Sequence, residues 1–140
     1  MTNQPVPDHR ATIIVCSALL GGVCMFAIVI AVLLQQNDGK GIAPLELINL
    51  VSVAIGASLL AAALLLRGVL RNRAEQKTGD DRARARFSAV LIPIALLEGG
   101  MMLGLMAWMM NGTPVPGLVV ACVLLAAAIG ILPFRAADAA

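Results

Sequence analysis

The chain has 140 residues, of which 60% are apolar and 13% are charged, and its mean hydropathy is +0.93. A soluble domain is closer to half apolar and a quarter charged, and a small domain buries only a modest share of its surface. The composition therefore excludes an ordinary soluble protein, and we expect lipid to be the main solvent. The net charge of +2 is small, so only the placement of the charges is informative.

Four apolar runs follow one another along the chain, and each is long enough to cross a bilayer as a helix of about 20 residues. They cover residues 11–34, 45–66, 87–110 and 115–134. Backbone groups in lipid must be satisfied within the segment, so each run is expected to be helical. The first run is longer than the apolar part of a signal peptide and follows Asp8, His9 and Arg10, so we expect it to remain as the first span.

The fold predicted from these runs is all-α, a single membrane domain over residues 1–140 in which four transmembrane helices form an antiparallel bundle. The connections 35–44 and 111–114 are short turns, whereas 67–86 is a basic linker between two helical hairpins. That linker holds seven of the ten Lys and Arg residues. Basic loops stay on the cytoplasmic side, so we predict a multi-pass protein of the cell inner membrane with both termini in the cytoplasm.

The basic linker has a second interpretation, because basic runs are also typical of nucleic-acid binding. Here the run joins two membrane spans, so we expect a topology signal and no nucleic-acid partner. The N-terminal part of the linker is predicted to continue the second helix. Gly79-Asp80-Asp81 is predicted to break that helix, with Asp80 or Asp81 capping the third span.

Glu98 is the ionisable residue that lies well inside a span, 11 residues from Phe87 and 12 from Met110. A charged group at that depth is costly, and such residues are functional candidates by default. Depth matching across the bundle offers no Lys, Arg or His as a partner. It offers Ser58 of the second span, within about one helical turn of the same depth.

Three roles remain open for Glu98. A neutral acid can make an interhelical hydrogen bond, for instance with Ser58. Alternatively, Glu98 and Ser58 form an ion-binding site that handles protons or cations, or Glu98 meets another subunit.

Small residues are expected to hold the bundle together, because they let helix backbones approach closely. Gly100 and Gly104 form a small-residue groove on the side of the third span opposite Glu98. The further packing glycines are Gly21, Gly22 and Gly56.

Residues 82–109 resemble the ion-binding helix of the rotary ATP synthase proteolipid, the ring-forming c subunit. The resemblance rests on a basic approach, then Ala95-Leu96-Leu97-Glu98, then Gly104-Leu105. It implies that Glu98 carries a proton or sodium ion. The second span departs from that family because it lacks a repeated G-x-G-x-G run. The whole chain also resembles small uncharacterised four-helix bacterial membrane proteins, a resemblance that implies no function.

Five of the seven methionines lie on the third span, and Met102, Met106 and Met109 share one face. Thioethers bind copper(I), but methionine is more often an adaptable packing residue, so no metal site is predicted. The sequence contains no phosphate-binding loop, no H-E-x-x-H and no dinucleotide fingerprint. We therefore expect no enzyme and no cofactor, but a small accessory or assembly subunit of a larger membrane complex. Its expected partners are the lipid bilayer and other membrane subunits or copies of itself, and proton or cation handling is the alternative.

Overall fold

The computed structural model describes residues 9–42 and 46–132, and four helices account for most of them. The helices are α1 His9–Gln36, α2 Glu46–Glu75, α3 Gly79–Asn111 and α4 Gly117–Ile131. There is no strand in this part of the chain. The fold is therefore all-helical, as predicted. The two termini that are predicted to be cytoplasmic, residues 1–8 and 133–140, lie outside the described residues.

Three of the described helices, α1, α2 and α3, are long and apolar enough to cross a membrane. They have 28, 30 and 33 residues, which corresponds to about 42–50 Å at about 1.5 Å per residue. A typical hydrocarbon core is about 30 Å thick. Each of the three is thus longer than the core is thick.

The fourth helix is shorter than the apolar run that predicted it. α4 has 15 residues, or about 22 Å of helix, whereas the run covers 115–134. It begins after Pro116, whose carbonyl accepts the Val120 N–H at 3.0 Å. It ends at Ile131 because Leu132 precedes a proline and is extended, with ψ 131°; a residue in that position is disfavoured in the helical conformation.

The predicted linker 67–86 is helical except for residues 76–78, because α2 continues to Glu75 and α3 begins at Gly79. The two helices are separated, as expected, but the break lies at residues 76–78, directly before the predicted Gly79-Asp80-Asp81, and neither aspartate is the N-cap. Asp80 and Asp81 lie in the first turn of α3, where carboxylates interact favourably with the helix dipole. The N-cap is Thr78, and its side chain makes no capping hydrogen bond.

Helix α3 lies at the centre of the described structure and packs against α2, α4 and α1, whereas α1 and α2 share little contact. Its side chains Ile94, Leu97 and Met101 are fully buried. Ile30 of α1 and Leu124 of α4 belong to the same core. Many other apolar side chains on α1 and α2 are exposed, as expected of surfaces that lipid covers.

The loop after α1 rests on the end of α3. The backbone N–H of Ile42 donates to the Met109 carbonyl at 3.3 Å. A β-carbon on Gly41 would overlap the Met110 carbonyl oxygen, and one on Gly112 would overlap the Gly39 carbonyl oxygen. Gly112 also has φ 73° and caps α3 by donating its N–H to the Trp108 carbonyl at 2.8 Å. Glycine is needed at Gly41 and Gly112 for the two turns to meet.

Candidate functional site

Glu98 lies on α3, well away from both ends of the helix, and its side chain is half-buried. At 100° per residue, the buried Ile94 and Leu105 lie within about 40° of it on one side. The exposed Ala95 and Met106 lie about 60° and 80° away on the other. Glu98 therefore stands at the boundary between the core and the apolar outer surface.

The outer surface beside Glu98 is a continuous stripe along α3, which we call the α3 outer stripe. Its members are exposed and lie within about 60° of one another around the helix; they are Ile92, Ala95, Gly99 and Met106. Two of them, Ala95 and Gly99, are small and four residues apart. The stripe therefore has small residues next to Glu98 and the larger Ile92 and Met106 towards its two ends.

No hydrogen bond or ion pair joins the Glu98 side chain to any residue within 9–42 and 46–132. The hydrogen bond with Ser58, which was one of the three roles left open for Glu98, is not formed among the described residues. Ser58 is exposed and donates its hydroxyl to the Ala54 carbonyl of its own helix at 2.8 Å, which is the usual way for a serine within a helix to be satisfied. The nearby Ser52 is buried and donates to the Asn49 carbonyl at 2.9 Å.

The side of α3 opposite Glu98 is where α2 and α4 approach. A β-carbon on Gly100 would lie 2.7 Å from Cδ1 of Leu124 and 3.3 Å from Cδ1 of Leu59. A β-carbon on Gly104 would lie 2.6 Å from the carbonyl oxygen of Gly117. Gly100 and Gly104 thus lie where helices are in close contact. Glu98 lies on the opposite face of α3, which points away from α2 and α4.

Gly56 also lies at a helix contact, but with α4, since its β-carbon would lie 2.6 Å from Cγ1 of Val120. The packing role expected for Gly21 and Gly22 is not found. Both are exposed, and a β-carbon on either would meet no atom within 4 Å. α1 faces its neighbours through a different stripe, which includes Cys16 and Leu20.

Comparisons of this chain with protein-family models, with curated proteins and with solved structures found no match.

The methionines of α3 do not share one environment. Met101 is fully buried, Met102 and Met109 are half-buried, and Met106 is exposed. The face that Met102, Met106 and Met109 share thus runs from the edge of the core to the outer surface, close to Glu98.

The sequence did not predict one polar contact between α2 and α3. The Asn111 side-chain amide at the end of α3 donates to the Asn49 Oδ1 near the start of α2 at 2.8 Å, in a partly buried position. The two residues are 62 positions apart, so no local pattern connects them. The sequence feature that could have suggested this hydrogen bond is that Asn49 and Asn111 each lie near the end of an apolar run, next to one of the two turns that are in contact.

A second feature that the sequence did not reveal is the environment of Arg82. Its Nε atom is buried and has no hydrogen-bond partner among the described residues. A guanidinium group held in this way is unusual, because buried polar atoms are nearly always paired.

Proposed function

We propose that this chain is a non-enzymatic integral membrane protein that serves as an accessory or assembly subunit, and that α3 meets another membrane protein at Glu98. The observation that carries this proposal is the half-buried carboxyl of Glu98 in the middle of α3, with no partner among the described residues, beside the exposed α3 outer stripe.

An unpaired carboxyl favours a protein partner over lipid on this face. A charged carboxylate at the bilayer centre costs about 2.5–3.5 kcal/mol on insertion scales, and lipid tails offer it no donor. A helix packed on the α3 outer stripe can supply a hydrogen-bond donor. The small residues Ala95 and Gly99 allow the close approach that such a hydrogen bond requires.

The proposal includes the arrangement in the membrane: four antiparallel spans in the inner membrane, with both termini cytoplasmic. Two observations support it. The turns after α1 and α3 are in contact through Gly41 and Gly112. Seven of the ten basic residues lie in 67–86, which holds the last residues of α2, the turn 76–78 and the first residues of α3, at the ends of these helices away from Gly41 and Gly112. Basic residues mark the cytoplasmic side.

Site-specific photo-crosslinking in the native membrane tests the proposed contact. A photoreactive residue at Ala95 should give a heterologous crosslinked product. The same residue at Ala61, which is an exposed alanine on α2, is the matched control and should give none. The Ala95 product should survive Glu98→Gln, which keeps a hydrogen-bonding group, and disappear with Glu98→Leu. Equal products from Ala95 and Ala61, or lipid adducts alone, would contradict the proposal.

A second candidate function is proton or cation handling by Glu98. What favours it is the place of Glu98 at the margin of the outer surface, together with the resemblance of residues 82–109 to the proteolipid helix. In this case the carboxyl itself exchanges the ion, so an amide cannot replace it.

Ion flux into proteoliposomes that contain the purified chain separates the two functions. A packing or assembly role predicts that Glu98→Gln leaves flux and stability unchanged. A carrier role predicts that Glu98→Gln abolishes flux, that Glu98→Asp retains part of it, and that both variants unfold at the wild-type temperature. Loss of flux without loss of stability would therefore overturn the assembly proposal.

A further inference from the structure

Arginines occupy the contact faces of α2 and α3 where the two helices leave the membrane. On α2, half-buried Arg67 stands in line with the buried Ala63 and Ala74. On α3, half-buried Arg82 and Arg86 stand in line with the buried Ala89 and Pro93. Spacings of four and seven residues on α2, and of four, three and four residues on α3, place each row on a single helix face. We call Arg67, Arg82 and Arg86 the inner arginines.

The inner arginines lie at two neighbouring depths. Arg67 is eight residues before the end of α2 and Arg86 is seven residues after the start of α3, which is about 10–12 Å from the residue 76–78 turn on each helix. Both directly adjoin the apolar runs 45–66 and 87–110. Arg82 lies four residues nearer the turn, about 6 Å further from the hydrocarbon. This is within the headgroup layer, which adds about 5–8 Å on each side of the core.

Two of the inner arginines, Arg67 and Arg82, carry positive charges that lack compensation among the described residues. Arg67 and Arg82 have no ion pair, and the Nε of Arg82 has no hydrogen-bond partner. An exposed ion pair in this region joins Arg71 to Glu75 at 3.4 Å. Residues 67–86 contain seven basic and three acidic residues, so this end of the molecule carries a net charge of +4.

We propose that the inner arginines form a binding site for the phosphate of an anionic phospholipid. Arginine binds phosphate through two parallel hydrogen bonds, and a bound phosphate would pair the buried Nε of Arg82. The depth of the three residues favours a lipid headgroup over a soluble anion, because Arg67 and Arg86 adjoin the hydrocarbon. The attraction of basic segments beside the membrane to anionic lipids supplies the long-range force.

Thermal unfolding of the full chain in nanodiscs tests this site. The wild-type midpoint is compared between pure phosphatidylcholine and a mixture with phosphatidylglycerol, and we expect a rise of about 5 °C or more in the mixture. The test variant is Arg67→Gln/Arg82→Gln/Arg86→Gln. The matched control is Arg73→Gln/Lys77→Gln/Arg84→Gln, which removes the same charge from three exposed positions.

The expected result is that the control keeps most of the rise and the inner variant loses more than half of it. Equal losses in the two variants, or no rise in the wild type, would overturn the site. The same rise from inorganic phosphate in pure phosphatidylcholine nanodiscs would overturn the lipid assignment. If the triple variant does not fold in phosphatidylcholine, the single variants Arg82→Gln and Arg84→Gln are compared instead. The site then predicts a larger loss of the rise in Arg82→Gln, and equal losses would overturn it.

Discussion

At Gly104 the backbone of α3 comes so close to that of α4 that a side chain has no room. The nearest atoms to a β-carbon there belong to the backbone of α4, the Gly117 carbonyl oxygen at 2.6 Å and the Ala121 nitrogen at 3.2 Å. Backbone atoms cannot move aside as the tip of a side chain can. A single methyl group at this position must therefore separate the helices.

We expect Gly104→Ala to lower the stability of the folded protein by about 1–3 kcal/mol, the usual range for an overpacked contact. Gly99→Ala is the matched control, because Gly99 lies on the same helix, is exposed and has no atom within 4 Å of its β-carbon position. Thermal unfolding in mild detergent measures both. A Gly104→Ala midpoint equal to that of Gly99→Ala would show that the close approach of α3 and α4 is not present in the folded protein.

Among the four helices, α1 packs least against the rest of the structure. It packs against α3 and shares little contact with α2, and many of its large apolar side chains are exposed. The side chains that attach it to the core recur at helical spacing along one stripe, from Cys16 to Leu34. Ile30 is fully buried on this stripe, whereas Ile28 is 57% exposed.

These two isoleucines provide a matched test of how α1 is attached. Ile30→Ala should cost on the order of 2 kcal/mol, because the methyl and ethyl groups that it removes leave a cavity in the core. Ile28→Ala should change stability little, because lipid or detergent fills the space. Denaturant titration of each variant in the same detergent compares them. Equal losses would mean that α1 contacts the rest of the protein through a different face.

Hydropathy predicted that the chain would be helical and where its long helices would lie, because the cost of burying polar groups in lipid applies to each residue separately. Hydropathy did not predict where α2 ends and where α3 begins. Arg67 to Glu75 and Gly79 to Arg86 are helical although they are polar, because in polar segments helix propensity and the neighbouring helix decide the backbone conformation. Apolar runs alone therefore do not give the full extent of α2 and α3.

Pairs of helices were harder to predict than the helices themselves. Gly21-Gly22 and Gly99-Gly100 look alike in the sequence, yet Gly100 lies at a contact and Gly21, Gly22 and Gly99 do not. A glycine only permits two helices to approach closely. Whether a second helix packs there depends on the shapes of all the side chains that face each other. For the same reason Glu98 was identified as the unusual residue from its depth, whereas its expected hydrogen bond with Ser58 is not formed.

At the scale of the whole molecule, the contact between the two turns predicts which parts of the chain share a side of the membrane. Gly39 and Gly41 of the first turn meet Gly112 of the second. Residues 76–78 join α2 and α3 at their other ends. With the basic segment in the cytoplasm, Asp38 is expected outside and Gln76 inside.

Cysteine accessibility in intact cells measures this orientation. In a background that lacks Cys16, Cys24 and Cys122, a membrane-impermeant maleimide should label Asp38→Cys in intact cells and Gln76→Cys only after permeabilisation. Both positions are exposed, so access to each depends on the membrane alone. The reverse pattern would place the basic segment outside and contradict the proposed topology.

The central place of α3 has a consequence for how the protein is made. α1 ends at Gln36, but the helix that it packs against is complete only at Asn111. At roughly 5–20 residues per second, the ribosome finishes α3 on the order of 4–15 s after α1. During that interval we expect α1 to lie in the bilayer without the helix that it packs against in the folded protein. A newly made helix in that position must be soluble in lipid on every side, and this accounts for the nearly unbroken apolar sequence of α1, including the face that later becomes the core.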